Sequence, residues 1–163
     1  MLPVFLAALL CMACSAEEDA VTIRALIDNG AALAEAHDIS GIMELASADV
    51  RAMPMDLDRR GIKGVLWRTF RHYGPLTILY PRPALEIRAD GHQASARFPF
   101  LIVKKEHTIP GLERLRDDPA AWLETVGETA DLYRFRLEMV REDGDWLVNR
   151  AFLERFTGMS FEE

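Results

Sequence analysis

The sequence is poor in the residues that would declare a chemistry at sight. Its 163 residues include two cysteines, Cys11 and Cys14, both within the first fourteen positions. No disulfide and no cysteine-based metal site can then stabilise the rest of the chain, which must rely on its core. The four histidines, at 37, 72, 92 and 107, include no pair at chelating spacing, so no metal is expected. No motif points to a cofactor. Cations are outnumbered, 19 against 26 acids, for a net charge of −7. A surface of that sign repels phosphate backbones, so nucleic-acid binding is not expected. What is plentiful is core: 50% of residues are hydrophobic and 28% charged, the balance of one packed domain rather than of a disordered chain.

The start of the chain is a different material from the rest. Met1–Cys14 carries no charge, and the first ionised side chain is Glu17. As a helix this segment would cover roughly 20 Å, short of the ~30 Å hydrocarbon layer, so a spanning anchor is not expected. The apolar core of a secretory signal fits better, although no Lys or Arg precedes it. Cys14 follows Met12-Ala13 and precedes Ser15-Ala16, an arrangement that resembles a bacterial lipoprotein signal, in which a small residue precedes the cysteine to be acylated. Position 11 is Cys where that pattern prefers an aliphatic residue. The alternative is an ordinary signal cleaved near Ala13 or Ala16. The lipoprotein reading gives a signal over 1–14, a domain over 15–163, and export to the cell envelope or periplasm. It anchors the chain through acylated Cys14. Ser15 in place of Asp favours the outer membrane.

Helices come first and strands afterwards. Ile23, Leu26, Ile27, Gly30, Leu33, Ala34 and His37 fall at helical spacing and predict a helix over Glu18–Asp38. A short helix over Ile39–Ala46 and an extended piece over Asp49–Met53 follow, stopped by Pro54. A third helix carries the stripe Ile62, Val65, Leu66, Thr69, Phe70 and Tyr73, with Asp58 as its cap and Gly74-Pro75 as its end. Beyond it the pattern alternates. Leu85, Ile87 and Ala89 share one face, then Ala96, Phe98, Phe100 and Ile102, then Tyr133, Phe135, Leu137 and Met139. Asp90-Gly91 and Asp143-Gly144 mark turns, and Trp146–Leu153 reads as the last strand. Pro99 cannot donate to a ladder and predicts an edge or a bulge. An insert over 104–130 carries a small helix capped by Asp118-Pro119, with Trp122 inward. It reads as a surface elaboration, with a lid over a pocket as the functional alternative.

This order of elements, with "HDISGIMELASADV" at the junction of the first helices and "EDGDWLVNRAFL" in the last hairpin, resembles the nuclear transport factor 2-like superfamily, which includes SnoaL-like and ketosteroid isomerase-like proteins. The resemblance covers about Ile23 to Leu153, less the insert. It implies an α+β fold: a cone-shaped half-barrel of curved antiparallel or mixed sheet packed on the N-terminal helices, with a cavity at the wide end. The superfamily's isomerases keep an Asp general base directly before a Pro after the second helix. Here that pair is Met53-Pro54, and a thioether cannot take up a proton at neutral pH.

No catalytic residue is therefore carried over. The residues' own chemistry offers His72, Asp131 and Tyr133 as candidates, the last two as a carboxylate beside a phenol that could polarise a carbonyl. His37, Trp67, Tyr73, Phe98, Tyr133 and Phe135 are expected to line the cavity, with Tyr80 and Trp146 as further aromatic candidates. The plainer readings are a satisfied core histidine or helix-end cap for His37, a helix-end role for His72, a turn role for Asp131 and core packing for the rings. His92 and His107 read as exposed. Arg88, Arg97, Arg134 and Arg136 on the outer strand face offer anion or carboxylate contacts. The expected function is a non-catalytic envelope module that binds an apolar small molecule or a protein partner, with a homodimer through the outer sheet face. The alternative is a cavity acid/base enzyme of isomerase, dehydratase or hydrolase type.

Overall fold

The computed structural model describes residues 4–104 and 130–155, and for residues 4–15 and 130 the backbone alone. The small helix of the insert, Trp122 and His107 lie outside the described residues. In chain order the elements are α1 (Val4–Glu35), α2 (Ile39–Glu44), β1 (Ala46–Met53), α3 (Arg59–Tyr73), β2 (Leu76–Leu79), β3 (Ala84–Ile87), β4 (Gln93–Lys104), β5 (Ala130–Glu142) and β6 (Asp145–Arg155). The expected first helix reaches back to Val4, because no breaker interrupts the sequence between Pro3 and the end of α1. Among the described residues no helix is long and apolar enough to cross a membrane.

Local chemistry sets the helix ends. At the end of α1 the Asp38 N–H bonds the Leu33 carbonyl and the His37 N–H bonds that of Ala34, with His37 at φ +58°. This is the paired hydrogen-bond pattern of a left-handed helix stop, a position usually given to Gly. Asp38 then caps α2 by accepting from the Gly41 N–H at 2.9 Å. Gly41 has no room for a side chain, since a Cβ there would sit 2.7 Å from Leu33 Cδ2. The same device opens α3, where Asp58 accepts from the Gly61 N–H at 2.8 Å. Gly74 closes it at φ +63°.

The strands form one curved six-stranded sheet in the order β1-β6-β5-β4-β2, with β3 also paired to β4. Every pairing is antiparallel except β1 with β6. The sheet is therefore mixed, and with the helices on one face it makes the expected α+β cone. The predicted alternation holds residue for residue: Ala94, Ala96, Phe98, Phe100 and Ile102 on β4 stand opposite Met139, Leu137, Phe135, Tyr133 and Asp131 on β5. All of these inward residues but Asp131 form one core with Ile23 and Ile27 of α1 and Phe70 of α3. Pro99 falls between the part of β4 held by β3 (94–97) and the part held by β2 (101–104). Its missing donor thus sits beside a gap in the ladder rather than at a sheet edge. Between Asp90 and Gly91 the expected tight turn is a longer connection from Ile87 to Gln93.

Acidic side chains fasten α1 to the sheet. Asp19 accepts from Arg141 on β5 and, at 3.3 Å, from the Trp146 indole N–H on β6. Asp28 accepts from the Tyr80 hydroxyl at 2.5 Å, and Glu35 from the backbone N–H of Ile78 at 2.7 Å. At the other helix junction Arg59 donates to three carbonyls, those of Met43 (2.9 Å), Ala46 (3.0 Å) and Ser47 (2.8 Å). It closes the exposed end of α2 and the start of β1 with one guanidinium.

Asp19 is only 12% exposed, so removing it strands Arg141 and the Trp146 N–H in a low-dielectric setting. Asp19→Ala is expected to cost about 3 kcal/mol in urea unfolding, the scale of a broken buried pair. Arg51→Ala breaks a pair whose members are 47% and 61% exposed, and should shift stability by no more than about 0.5 kcal/mol.

Candidate functional site

The polar residues that converge do so where α3 ends against the far ends of β5 and β6. Alternation along β5 places Asp131 and Tyr133 on the inward face, next to Phe135. On β6 the same alternation places Leu153 opposite Phe135 and Arg155 opposite Tyr133. Tyr73, the last residue of α3, comes to meet them as the final member of the stripe Leu66, Phe70, Tyr73.

Their hydrogen bonds form a single chain. The Tyr73 hydroxyl donates to Asp131 Oδ2 in a short bond. Having one proton, Tyr73 can only accept from Tyr133, whose hydroxyl lies 3.2 Å away. Arg155 Nη2 donates to Asp131 Oδ1 at 2.6 Å. Both carboxylate oxygens and both phenolic protons are thereby engaged. What stays open is one lone pair on each Asp131 oxygen, the acceptor capacity of Tyr133 and the remaining N–H groups of Arg155, whose side chain is 61% exposed.

Electrostatics keep the Tyr73 and Tyr80 hydroxyls protonated. Burial, reinforced by the bonds to Asp131 and Tyr133, pushes the Tyr73 hydroxyl well above the ordinary tyrosine value. Burial and the bond to Asp28 do the same for Tyr80. The hydrogen bond to Asp131 holds Arg155 more firmly protonated than usual. The cluster is thus a set of fixed dipoles around one carboxylate rather than a free base.

Apolar surface adjoins it. Tyr133 stacks on Phe100 with centroids 5.4 Å apart, Phe100 meets Phe135 at 5.3 Å, and Phe98 meets Phe135 at 5.9 Å and Tyr80 at 5.4 Å. Phe98 and Phe100 are buried, whereas Phe135 is half-buried and Leu153 is 41% exposed. The strip therefore runs from a closed core to solvent beside the polar cluster.

Four expected site residues lie elsewhere. Trp67 does not face the cone: it is 53% exposed on the outer side of α3, beneath the Arg71 guanidinium at 4.8 Å. A helical step of about 100° from Leu66 turns it away from the inward stripe. His72 is exposed, touches only the edge of Tyr73, and does not reach Asp131. Trp146 is buried under α1 as the partner of Asp19. His37 stacks on Phe70 at 4.7 Å and serves the α1–α2 junction, with its Nε2 buried and unpartnered. His92 is exposed, as expected. Among the described residues no group of acids, histidines or cysteines could hold a metal. A groove of about 450 Å³ opens on the outer sheet face between Arg88, Ser95, Glu138 and Arg150, and it contains none of the phenols.

No family model and no curated protein matches the sequence. Solved structures do match it. An NTF2-like protein with a cystatin-like fold from Novosphingobium aromaticivorans aligns at TM-score 0.65 and 19% identity, over 98% of this chain and 94% of its own. A candidate scytalone dehydratase from the same organism aligns at TM-score 0.66 and 11% identity, over 92% and 93%. Bd1075 from Bdellovibrio bacteriovorus aligns at TM-score 0.60 and 8% identity over 83% of this chain, which spans 40% of that protein. The likeness is one of fold, and the chain has the NTF2-like, cystatin-like fold implied by its sequence resemblance.

Tyr73→Phe removes the link between Tyr133 and Asp131 and should cost about 1–2 kcal/mol at neutral pH in urea unfolding. The pH dependence has a definite sign. Below the ordinary tyrosine value of 10.0, folded and unfolded chains both keep the Tyr73 proton and the contribution is whole. Above it the unfolded chain releases that proton while the folded one does not, so stability falls. Thermal midpoints measured from pH 8 to 11 should drop more steeply for the wild type than for Tyr73→Phe.

Proposed function

We propose that the protein is an exported envelope module, held at the outer membrane by an acylated Cys14. In this reading it binds an apolar small molecule at the wide end of the cone without transforming it. One observation carries it: the hydrogen-bonded chain from Tyr133 through Tyr73 to Asp131 and Arg155 closes an aromatic strip that opens to solvent at Phe135 and Leu153. Such a site suits a ligand with a hydrocarbon body and a small polar head. The body lies along Phe135 and Leu153, and the head meets Tyr133 as acceptor or Arg155 as donor.

The proton inventory favours binding over catalysis. Asp131 already accepts from Tyr73 and Arg155, and Met53 supplies no base at the place where related isomerases keep theirs. The convergence of Tyr73, Tyr133 and Asp131 favours the acid/base enzyme as a second reading. In that case Asp131→Asn abolishes turnover of a hydroxy-ketone while leaving its binding intact.

The test uses N-phenyl-1-naphthylamine, an uncharged apolar fluorophore. The expected result is saturable binding near one per chain with blue-shifted emission. Leu153→Glu, on the half-exposed edge of the strip, should weaken it about tenfold, equivalent to about 1.4 kcal/mol. Absence of saturable binding, or an unchanged affinity in Leu153→Glu, would defeat the reading.

A further inference from the structure

The outer face of α3 is chemically unlike the rest of the molecule. From residue 59 to residue 85 the chain has no acidic residue and carries Arg59, Arg60, Lys63, Arg68, Arg71 and Arg82, in a protein of net charge −7. Arg59 is spent on the carbonyls of α2 and β1. Arg60, Lys63, Arg68 and Arg71 are exposed, and none of them enters an ion pair among the described residues. At about 100° per residue these four, with Gly64 and Trp67, occupy an arc of roughly 140° on the side opposite Ile62, Thr69 and Tyr73.

We propose that this face docks on an anionic phospholipid surface. Three features select a lipid surface over an acidic protein. Trp67 stands at the centre of the cations, 53% exposed with the Arg71 guanidinium on its ring. An amphipathic ring among cations is the side chain that settles at headgroup level. At Gly64, beside Trp67, there is no side chain, and an added Cβ would meet nothing within 4 Å, so the helix backbone itself can approach a surface there. The 15-residue helix is about 22 Å long, enough to present all four cations to one plane of phosphates. The opposite side of α3 is occupied by the core through Leu66 and Tyr73, so docking needs no rearrangement of the fold. An acyl group at Cys14 would hold this face near lipid, but the docking does not depend on it.

The experiment is co-sedimentation of the full chain, carrying Cys14→Ser to exclude acylation, with two kinds of vesicle. One is phosphatidylcholine alone, and the other contains about a third phosphatidylglycerol. Each cation near an anionic surface multiplies binding about fivefold at low salt, so partitioning should be at least about tenfold greater on the anionic vesicles. It should fall to the neutral level near 0.5 M salt, where screening shortens to roughly 4 Å. Lys63→Gln/Arg68→Gln/Arg71→Gln should abolish the difference with an unchanged thermal midpoint. A blue shift of tryptophan emission on anionic vesicles should disappear in Trp67→Phe, which keeps the cations and guards against misfolding of the triple variant. Equal partitioning on both vesicles, or a triple variant that behaves as the wild type, overturns the proposal. So does binding to poly-glutamate without binding to anionic vesicles, which would make the face a dock for acidic protein.

Discussion

The register between β4 and β5 is the constraint on which the rest of the molecule depends. Because side chains alternate with a period of two, one setting of these two strands decides which face every residue joins. The observed setting opposes Ala94 to Met139 and Ala96 to Leu137, then Phe98 to Phe135 and Phe100 to Tyr133, and finally Ile102 to Asp131. Read along the ladder, the inward face passes from small and aliphatic residues through stacked rings to a carboxylate. The core and the polar cluster are two ends of one gradient. A slip of one residue would turn Asp131 and Tyr133 outward and bring Arg134 and Arg136 into the core, so core packing itself enforces the geometry of the site.

The helix beneath that ladder is held by charge as well as by apolar contact. Asp19 and Asp28 are nine residues apart, which on a helix sets them on nearly opposite sides, about 180° apart. Both nonetheless find donors from the sheet: Arg141 and Trp146 for one, Tyr80 for the other. A flat sheet could meet only one side of α1. Contacts spread over half its circumference require a sheet that wraps around it, and the curvature leaves the β5 and β6 ends standing clear of the helix. Leu153 and Arg155 reach solvent on that account.

Much of this was legible in the chain, and the remainder was hidden for identifiable reasons. The inward rows of β3, β4 and β5 follow from alternation alone, and Asp58 and Gly74 mark α3 by ordinary capping chemistry. β2 was not foreseen: it has four residues between Pro75 and Pro81, and its partner lies in β4, too short and too distant for any local pattern. Asp131 and Tyr133 were singled out as a pair. Tyr73, expected only as a cavity wall, is bonded to Asp131 across 58 positions, which no spacing rule reports. Arg155 was overlooked although Ala151, Leu153 and Arg155 continue one face of the last strand. Arg59, with its three carbonyls, gave no sign beyond its place beside the Asp58 cap. Trp67 is aromatic, but its position on the helical wheel, one step past Leu66, turns it to solvent.

The sixteen arginines look at first like a compositional habit, but their surroundings divide them. Arg141 and Arg155 each meet a partly buried carboxylate and position it; Arg134 and Arg136 lie on the outer sheet beside Glu154 and Glu138. In those places a guanidinium organises the protein's own acids, and its field is largely cancelled a few ångströms away. On α3 the same residue type stands without any acid in its own helix, so the fields of Arg60, Lys63, Arg68 and Arg71 add rather than cancel. Composition bias accounts for many arginines, yet it does not account for the exclusion of aspartate and glutamate from a stretch as long as 59–85 in an acidic chain. Folding does not require that exclusion either, because the four side chains touch no core and an acid on this face would offer ordinary i, i+4 stabilisation. A segregated charge that forgoes a few tenths of a kcal/mol per ion pair fits the docking proposed for this face.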